Sequence, residues 1–268
     1  MHSLDQLFNI TGKNALVTGG GSGIGEMMTE TLVRAGCRVF IASRKTGALI
    51  KVADRLNAIG PGKVEVLTAD LSSAEGVASL YDQLCDHIDA LHILCNNSGA
   101  TWGAPMEDFP REAWDKILNL NVAAIGDVTK HMLPLLEKAA SADDPARVIN
   151  TGSVMGTRYN AQIGGGNGAY SYVASKAAVH HLTKVFAGEL AAKHITVNAI
   201  APGPFPSRMM AFATDTEEKR AMMGKTVPLG RVGEEDDIAC LIRFLCSKGG
   251  GYVSGAIIPI DGGMNAQP

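Results

Sequence analysis

The sequence predicts an α/β fold built on a doubly wound parallel sheet of about seven strands. Three observations predict it. Short apolar runs alternate with helical patterns from one end of the chain to the other. The first run ends in a cluster of glycines that opens a helix. Residues suited to a site gather where the runs stop: Thr18, Ser43, Asp70, Asn96, Ser153 and Pro202. In open α/β sheets, ligands bind outside those carboxyl ends.

The first run, Asn14-Ala15-Leu16-Val17-Thr18, reads as a buried strand. Gly19-Gly20-Gly21-Ser22-Gly23-Ile24-Gly25 follows, then a helical pattern through Arg34. Glycine allows a tight turn and close backbone approach, and the helix N-terminus offers free N–H donors to an anion. The second strand is Arg38 to Ser43. An acidic residue at its end would bond ribose hydroxyls; Ser43, Arg44 and Lys45 stand there instead. Arg44 and Lys45 would attract a 2′-phosphate, which favours NADP over NAD. A solvated basic loop is the plainer reading of the same residues.

Lys51 to Ala58 reads as a helix, and Val64 to Ala69 as the third strand, ending at Asp70-Leu71. Asp70 can accept from an adenine amino group or serve the start of the next helix beside Ser72 and Ser73. That helix runs to about Ile88. The fourth strand is Leu91 to Cys95, with Asn96-Asn97-Ser98-Gly99 after it. Paired Asn side chains can stitch a loop between neighbouring strands, and Gly99 lets backbone approach a ligand. Arg111 to Leu136 holds one or two helices that include Asn121. Strand five is Arg147 to Thr151, with Gly152-Ser153 at its end; strands six and seven are Ile195 to Ile200 and Ala256 to Ile260. The pattern is that of a Rossmann-like sheet.

Between strands five and six, Ala169 to Lys193 reads as a helix. On it Tyr172 and Lys176 lie one turn apart on one face. A nearby lysine cation favours a phenolate and lowers the phenol pKa, making the tyrosine a usable acid or base. By itself the pair is also what any helix surface can show. Adjacent His180 and His181 point to different faces and suit packing or subunit contacts better than metal ligation.

Length and composition set bounds. At 268 residues the chain reads as one domain, residues 1–268. The net charge of -3 and 5% aromatic content argue against nucleic acid. Five cysteines without a C-x-x-C pair suit a reducing, cytoplasmic compartment. No signal peptide or membrane-length apolar stretch is apparent. Metal-spaced clusters and a G-x-S-x-G elbow are absent from the sequence. Residues 203–230 place Met209, Met210, Met222 and Met223 among charged residues. They read as a substrate lid, methionine adapting to irregular apolar shapes, or as a helix pair burying its methionines in core.

Taken together, Thr18-Gly19-x-x-x-Gly23-x-Gly25, Asp70, Asn96-Asn97-Ser98-Gly99, Asn121, Ser153, Tyr172-x-x-x-Lys176, Pro202-Gly203 and Asp261-Gly262-Gly263 resemble the short-chain dehydrogenase/reductase family over nearly the whole chain. The resemblance implies hydride transfer between NADP(H) and a carbonyl or secondary alcohol. It implies cofactor contacts at Gly19, Gly21, Ser22, Gly23, Ile24, Gly25, Ser43, Arg44, Lys45, Asp70, Leu71, Asn97, Ser98, Gly99, Pro202 and Gly203, besides Tyr172 and Lys176. Tyr172 would give a proton to the carbonyl oxygen, and Ser153 would hydrogen-bond it. Lys176 would tune the tyrosine and hold ribose, and Asn121 would hold a water leading to solvent. Ser153 as a strand-end turn, and Asn121 as a helix-bending polar residue, are the plainer alternatives.

Several segments resemble reductases of 3-oxoacyl thioesters, among them Ala201 to Met209 and Ile258 to Gly263. Another ketone or alcohol, cyclic, steroid-like or aromatic, is the second reading, and a non-catalytic dinucleotide-binding regulator the third. The resemblance also implies a dimer or tetramer. Three departures stand out. Ser98 replaces the usual Ala. The glycine turn has Ser22 where many NADP sites carry a base. The stretch between Ser153 and Tyr172 is longer than usual and includes Gly164-Gly165-Gly166-Asn167-Gly168, so whether those two side chains meet is left to the tertiary structure.

Overall fold

The computed structural model describes residues 2–158 and 168–266. In chain order the elements are α1 (Leu4–Leu7), β1 (Asn14–Thr18), α2 (Gly23–Arg34), β2 (Arg38–Ser43), α3 (Thr46–Asn57), β3 (Lys63–Thr68), α4 (Ala74–Cys85), β4 (Ile93–Asn96), α5 (Arg111–Leu118), α6 (Ala124–Ala139), β5 (Ala146–Thr151), α7 (Tyr170–Leu190), β6 (Ile195–Pro202), α8 (Ala211–Thr214), α9 (Glu217–Gly224), α10 (Glu235–Cys246) and β7 (Ile257–Ile260). The seven strands form one sheet in the order β3-β2-β1-β4-β5-β6-β7, every neighbouring pair parallel. The expected doubly wound sheet is therefore present.

Alternation along each strand explains why the strands read as continuous apolar runs. Successive side chains point to opposite faces, and here both faces are covered. On β1, Ala15 and Val17 face one cluster, shared with Met28, Leu32, Leu56 and Ile242 of α2, α3 and α10. Leu16 faces the other, with Leu80, Val128, Met132 and Leu190 of α4, α6 and α7. Phe40 and Ala42 join the second cluster, whereas Val39 and Ile41 join the first. A strand buried on both faces has no polar side to show. Pro259 sits within β7, which pairs with β6 alone; an edge strand tolerates the missing N–H.

Some predicted boundaries move. β4 starts at Ile93, because the His92 ring Nδ1 takes the N–H of Asn14 while the His92 N–H goes to the Asn14 carbonyl. α3 begins at Thr46, five residues earlier than its apolar pattern predicts. The stretch 111–136 holds two α-helices joined by a π-helical turn, Asn119–Ala123. α7 ends at Leu190, and Ala191–Lys193 tightens into a 3₁₀ turn.

The sheet's strand order reverses between β1 and β4, the switch point where a crevice opens. No helix among the described residues is long and apolar enough to cross a membrane, and none of their His, Cys, Asp and Glu side chains cluster as a metal site. Cys37, Cys95 and Cys246 are buried free thiols; Cys85 and Cys240 are exposed.

Candidate active site

The crevice is a cavity of about 650 Å³ at the carboxyl ends of β1, β4, β5 and β6. Its floor starts at the glycine turn. Gly19 and Gly23 have positive φ (67° and 55°), which glycine adopts without strain. Gly25 has no room for a side chain: a Cβ there would lie 2.3 Å from both Asn97 Nδ2 and the Gly19 carbonyl oxygen. The turn thus packs directly on the loop after β4 and leaves the start of α2 open toward the cavity.

The asparagine pair does the stitching its position suggests. Asn96 Nδ2 donates to Thr129 Oγ1 (3.1 Å) and Asn150 Oδ1 (3.0 Å). Asn97 Nδ2 donates to the carbonyls of Thr18 (3.1 Å) and Gly19 (3.3 Å), and its Oδ1 accepts from Thr151 Oγ1. Thr18 Oγ1 accepts from the N–H groups of Asn97 and Ser98. Three strand ends are locked into one rigid rim.

Most of the predicted cofactor contacts line the cavity: Gly19, Ser22, Gly23, Ile24, Gly25, Ser43, Arg44, Asp70, Leu71, Asn97, Ser98, Gly99, Tyr172, Lys176, Pro202 and Gly203. Gly21 and Lys45 do not. The Cβ direction of Gly21 points at the Leu49 side chain, 2.6 Å away, so this glycine serves the packing of α3. Lys45 is the exposed residue before α3, its N–H bonded to Ser43 Oγ (3.2 Å), and it does not line the cavity. Asp70 neither caps α4 nor stands free. Its Oδ1 accepts from the Ser72 N–H (3.0 Å) and hydroxyl (2.6 Å), while Ser73 caps the helix. Those bonds, then the nearby Arg44 charge, hold its carboxyl below the usual range. Arg44 Nη1 stands 3.8 Å from Asp70 Oδ2, with 64% and 44% of the two side chains exposed.

At the other end of the cavity Tyr172 and Lys176 come up from the first turns of α7, and Ser153 from the end of β5. Ser153 and Tyr172 both line this end of the cavity, with the serine side chain near enough to favour the charged phenol, so the lengthened connection does not separate them. Of that connection, residues 159–167 lie outside the described residues; Gly168 returns as a single bridge to Ala104. Lys176 Nζ donates to the Thr151 carbonyl (2.6 Å) and lies 5.6 Å from the Tyr172 ring centroid. Burial lowers the Lys176 pKa to about 8. The expectation that Lys176 depresses the tyrosine pKa is corrected here. Burial raises the Tyr172 phenol pKa, and the nearby Ser153 hydroxyl only partly opposes it. The same burial that desolvates the phenol also weakens the lysine's hold on its proton.

Asn121 is buried in the π-helical turn. Its Oδ1 accepts from the Ala100 N–H (2.8 Å), and its Nδ2 donates to the Ala100 carbonyl (3.0 Å) and Ser175 Oγ (2.9 Å). Both arms of the amide are occupied, so the side chain braces the loop after β4 against α7.

The far wall comes from residues 203–212, including Phe205, Met209, Met210 and Phe212. Met209 and Met222 are exposed, and Met210 and Met223 half-buried, so this segment does not bury its methionines in core. Sequence reasoning missed Arg208, which lines the cavity, and Thr151, whose carbonyl receives Lys176. A basic residue straight after Pro206-Ser207, in a segment already suspected of closing over the site, was the available signal for Arg208. Ser207 Cβ lies 2.9 Å from where a Gly23 Cβ would be, which puts the segment across the start of α2.

A family model described as enoyl-(acyl carrier protein) reductase matches residues 19–265. The chain is 42% identical to the rhamnolipids biosynthesis 3-oxoacyl-[acyl-carrier-protein] reductase of Pseudomonas aeruginosa, over 96% of this chain and 98% of that one. It is 32% identical to the 3-oxoacyl-[acyl-carrier-protein] reductase FabG of Thermotoga maritima, over 95% and 98%. The Pseudomonas aeruginosa RhlG/NADP active-site complex superposes with a TM-score of 0.91 at 42% identity, covering 99% of this chain and all of that one. With a parallel seven-stranded sheet and a match of this extent, the chain belongs to the short-chain dehydrogenase/reductase family of oxidoreductases.

Proposed function

We propose that the protein is an NADPH-dependent reductase of a 3-oxoacyl thioester. The observation that carries this is one cavity with a guanidinium at its outer end, Ser153 and Tyr172 together beside Lys176 at its inner end, and an apolar wall of Met209, Met210 and Phe212 opposite. Relatives named for 3-oxoacyl-[acyl-carrier-protein] reduction, and a similar structure named as an NADP complex, support it.

The residues fit the cofactor. The glycine turn leaves a cradle that a Cβ would fill, and the open N-terminus of α2 suits a pyrophosphate. Arg208, carried across that helix start, supplies the positive charge the turn itself lacks. Arg44 and Ser43 would hold the 2′-phosphate. Arg44 would exchange its loose contact with Asp70 for a charge-assisted one with phosphate. Lys176 and Asn97 would border the nicotinamide end. When bound, NADPH supplies the hydride that reaches the carbonyl carbon.

The chain's own part is to hold the carbonyl oxygen and protonate it. Ser153 Oγ–H bonds that oxygen and stabilises the charge it gathers. Tyr172 gives its phenolic proton to the same oxygen, leaving an alcohol and a phenolate. The raised phenol pKa keeps the proton on Tyr172 at neutral pH, where reduction needs it. Lys176, with its Nζ 5.6 Å from the Tyr172 ring centroid, lies beside the resulting phenolate. Return of a proton from solvent would pass by Lys176 and Asn121. Residues 203–230, with the apolar wall facing the site, would close as a lid on an acyl chain.

We place the enzyme in the cytoplasm, in line with its free thiols, as a homodimer or homotetramer. Exposed Leu118 and Val185 at the surfaces of α5 and α7 supply apolar contact for such assembly. The test is oxidation of NADPH with a short 3-oxoacyl thioester, run beside NADH, an enoyl thioester and a panel of cyclic and aromatic ketones. Fast turnover of the 3-oxoacyl thioester with NADPH is expected. Turnover confined to another carbonyl would discard the substrate, and silence with every carbonyl would discard the reaction.

A further inference from the structure

His180 is a buried titratable side chain that the mechanism above does not use. It lies on α7 two steps of four residues beyond Tyr172 and one beyond Lys176, on the face those residues present to the site. It is 8% exposed. The Ser153 N–H donates to its Nε2 (3.4 Å), and its Nδ1 is 3.4 Å from Thr157 Oγ1. Since Nε2 accepts, the proton sits on Nδ1 and is offered to Thr157.

The turn is shaped around this ring. A Cβ at Gly152 would lie 2.3 Å from Nε2 and 2.6 Å from Cδ2; one at Gly156 would lie 2.8 Å from Cε1. Glycines on both sides of Ser153 therefore vacate the space that the imidazole fills. At Gly156 the α7 backbone is equally close, with the Lys176 carbonyl carbon 2.7 Å from the Cβ site. The 3₁₀ turn Val154–Gly156 is thus seated on α7 through His180, and the Ser153 side chain, which accepts from the Met155 N–H (3.1 Å), rides on that turn.

We infer that His180 is the positioning residue for Ser153, its imidazole setting where the serine hydroxyl stands relative to Tyr172 and to a carbonyl oxygen. This rests on the carbonyl reductase reading of the site and on no particular substrate. Burial, then the charges of Lys176 and Lys184, hold the His180 pKa down at about 4. The ring therefore stays neutral and keeps Nε2 free to accept throughout the working range. A protonated ring would turn a second N–H against the Ser153 N–H and add a charge beside Lys176.

The experiment compares His180→Leu, His180→Gln and Thr157→Val, each in wild-type and Ser153→Ala backgrounds, with any carbonyl the wild type reduces. His180→Leu fills the space without an acceptor; Gln restores one. Thr157 is exposed, so Thr157→Val disturbs only the far side of the ring. Misplacement of a catalytic group by a fraction of an ångström to one ångström costs on the order of tenfold to a hundredfold. His180→Leu should lower kcat about tenfold or more, His180→Gln should stay within about threefold of wild type, and Thr157→Val should lose about twofold to threefold, with NADPH binding unchanged in all three. In the Ser153→Ala background each of these losses should vanish, because the group they misplace is gone.

Equal losses in both backgrounds, or a His180→Gln as poor as His180→Leu, would overturn the assignment and make His180 a packing residue. A readout free of substrate runs alongside. The Ser153 hydroxyl lowers the Tyr172 pKa, so His180→Leu should raise the phenol's ultraviolet titration, identified by difference from Tyr172→Phe. It should not do so once Ser153 is Ala. An unmoved phenol overturns the inference even if no carbonyl is turned over, the latter result counting against the reductase reading alone.

Discussion

Replacing Lys176 with Met should make the ligand-free protein more stable while destroying its activity. The ammonium is buried, and its pKa falls from the ordinary 10.5 to about 8. At about 1.4 kcal/mol per pKa unit, holding the charge in the folded state costs about 3 kcal/mol. The sign is set by which state keeps the proton. The unfolded chain holds it up to about 10.5 and the folded chain only to about 8, so the cost is borne in full below pH 8 and relieved as pH rises toward 10.5. Methionine is of similar length and carries no charge, but it leaves the Thr151 carbonyl without its 2.6 Å donor. That loss costs about 1 kcal/mol. A net gain of about 1–2 kcal/mol near neutral pH remains, or a rise in Tm of roughly 2–6 °C for a chain of this size.

The assay is thermal unfolding at fixed protein concentration, ligand-free, at about pH 7 and about pH 9.5. Between those values the wild-type lysine should recover about 2 kcal/mol, so the variant's advantage should disappear at the higher pH. Other groups titrate in the same range, but they are common to both proteins and cancel in the difference. Turnover should fall by about a hundredfold or more. A variant less stable than wild type near pH 7, or a gain that persists unchanged at high pH, would refute the view that Lys176 is held at an electrostatic cost.

Tyr172→Phe keeps the ring and removes the acid; turnover should fall about a hundredfold or more with NADPH binding intact, and a loss within about tenfold would count against Tyr172 as the proton donor. Because burial raises the phenol pKa, reduction should hold at neutral pH and decline as pH rises through that pKa, whereas alcohol oxidation should increase; opposite limbs in the two directions of a pH–rate profile check this. Arg44→Asp should weaken NADPH far more than NADH, and Arg208→Gln should weaken both alike, as titrations of the two cofactors would show; an equal loss at Arg44, or an NADPH-only loss at Arg208, would reverse the two phosphate assignments. Gly25→Ala drives a methyl to 2.3 Å from the Gly19 carbonyl oxygen, so unfolding should become easier by about 1–3 kcal/mol and NADPH binding should weaken at least tenfold; an unchanged melting curve would mean the rim can yield.

What could be read in the chain and what could not divide along a physical line. The strands were legible because a sheet covered on both faces favours continuous apolar runs, as in Ala15 to Val17 of β1 and Val39 to Ala42 of β2, and such runs stand out in any sequence. The Tyr172–Lys176 pair was legible because helical spacing alone puts side chains four apart on one face. The boundaries of β4 and α3 were not, since the His92 ring and the Lys45–Thr46 junction settle them without any apolar signal. Arg147 reads as the polar start of a strand, yet it is fully buried, donating to the carbonyls of Leu245 and Ser247. Local composition supplies only Asp144 and the Pro145 carbonyl as partners; the two carbonyls that complete its burial are about a hundred residues away.

The site shows the same division. The sequence by itself determined which chemical groups are available and that they stand at the carboxyl ends of strands, for these follow from residue type and short-range periodicity. Only the tertiary structure decided which groups meet. It brings Ser153 to Tyr172 across a connection of unusual length, and leaves Gly21 and Lys45 out of the crevice lining. It spends both arms of Asn121 on Ala100 and Ser175, and sets the His180 ring between two glycines. It also reversed the sign expected for the tyrosine. A lysine one turn away promises a lowered phenol pKa, but desolvation depends on everything packed around both groups, and that is a property of the folded molecule alone.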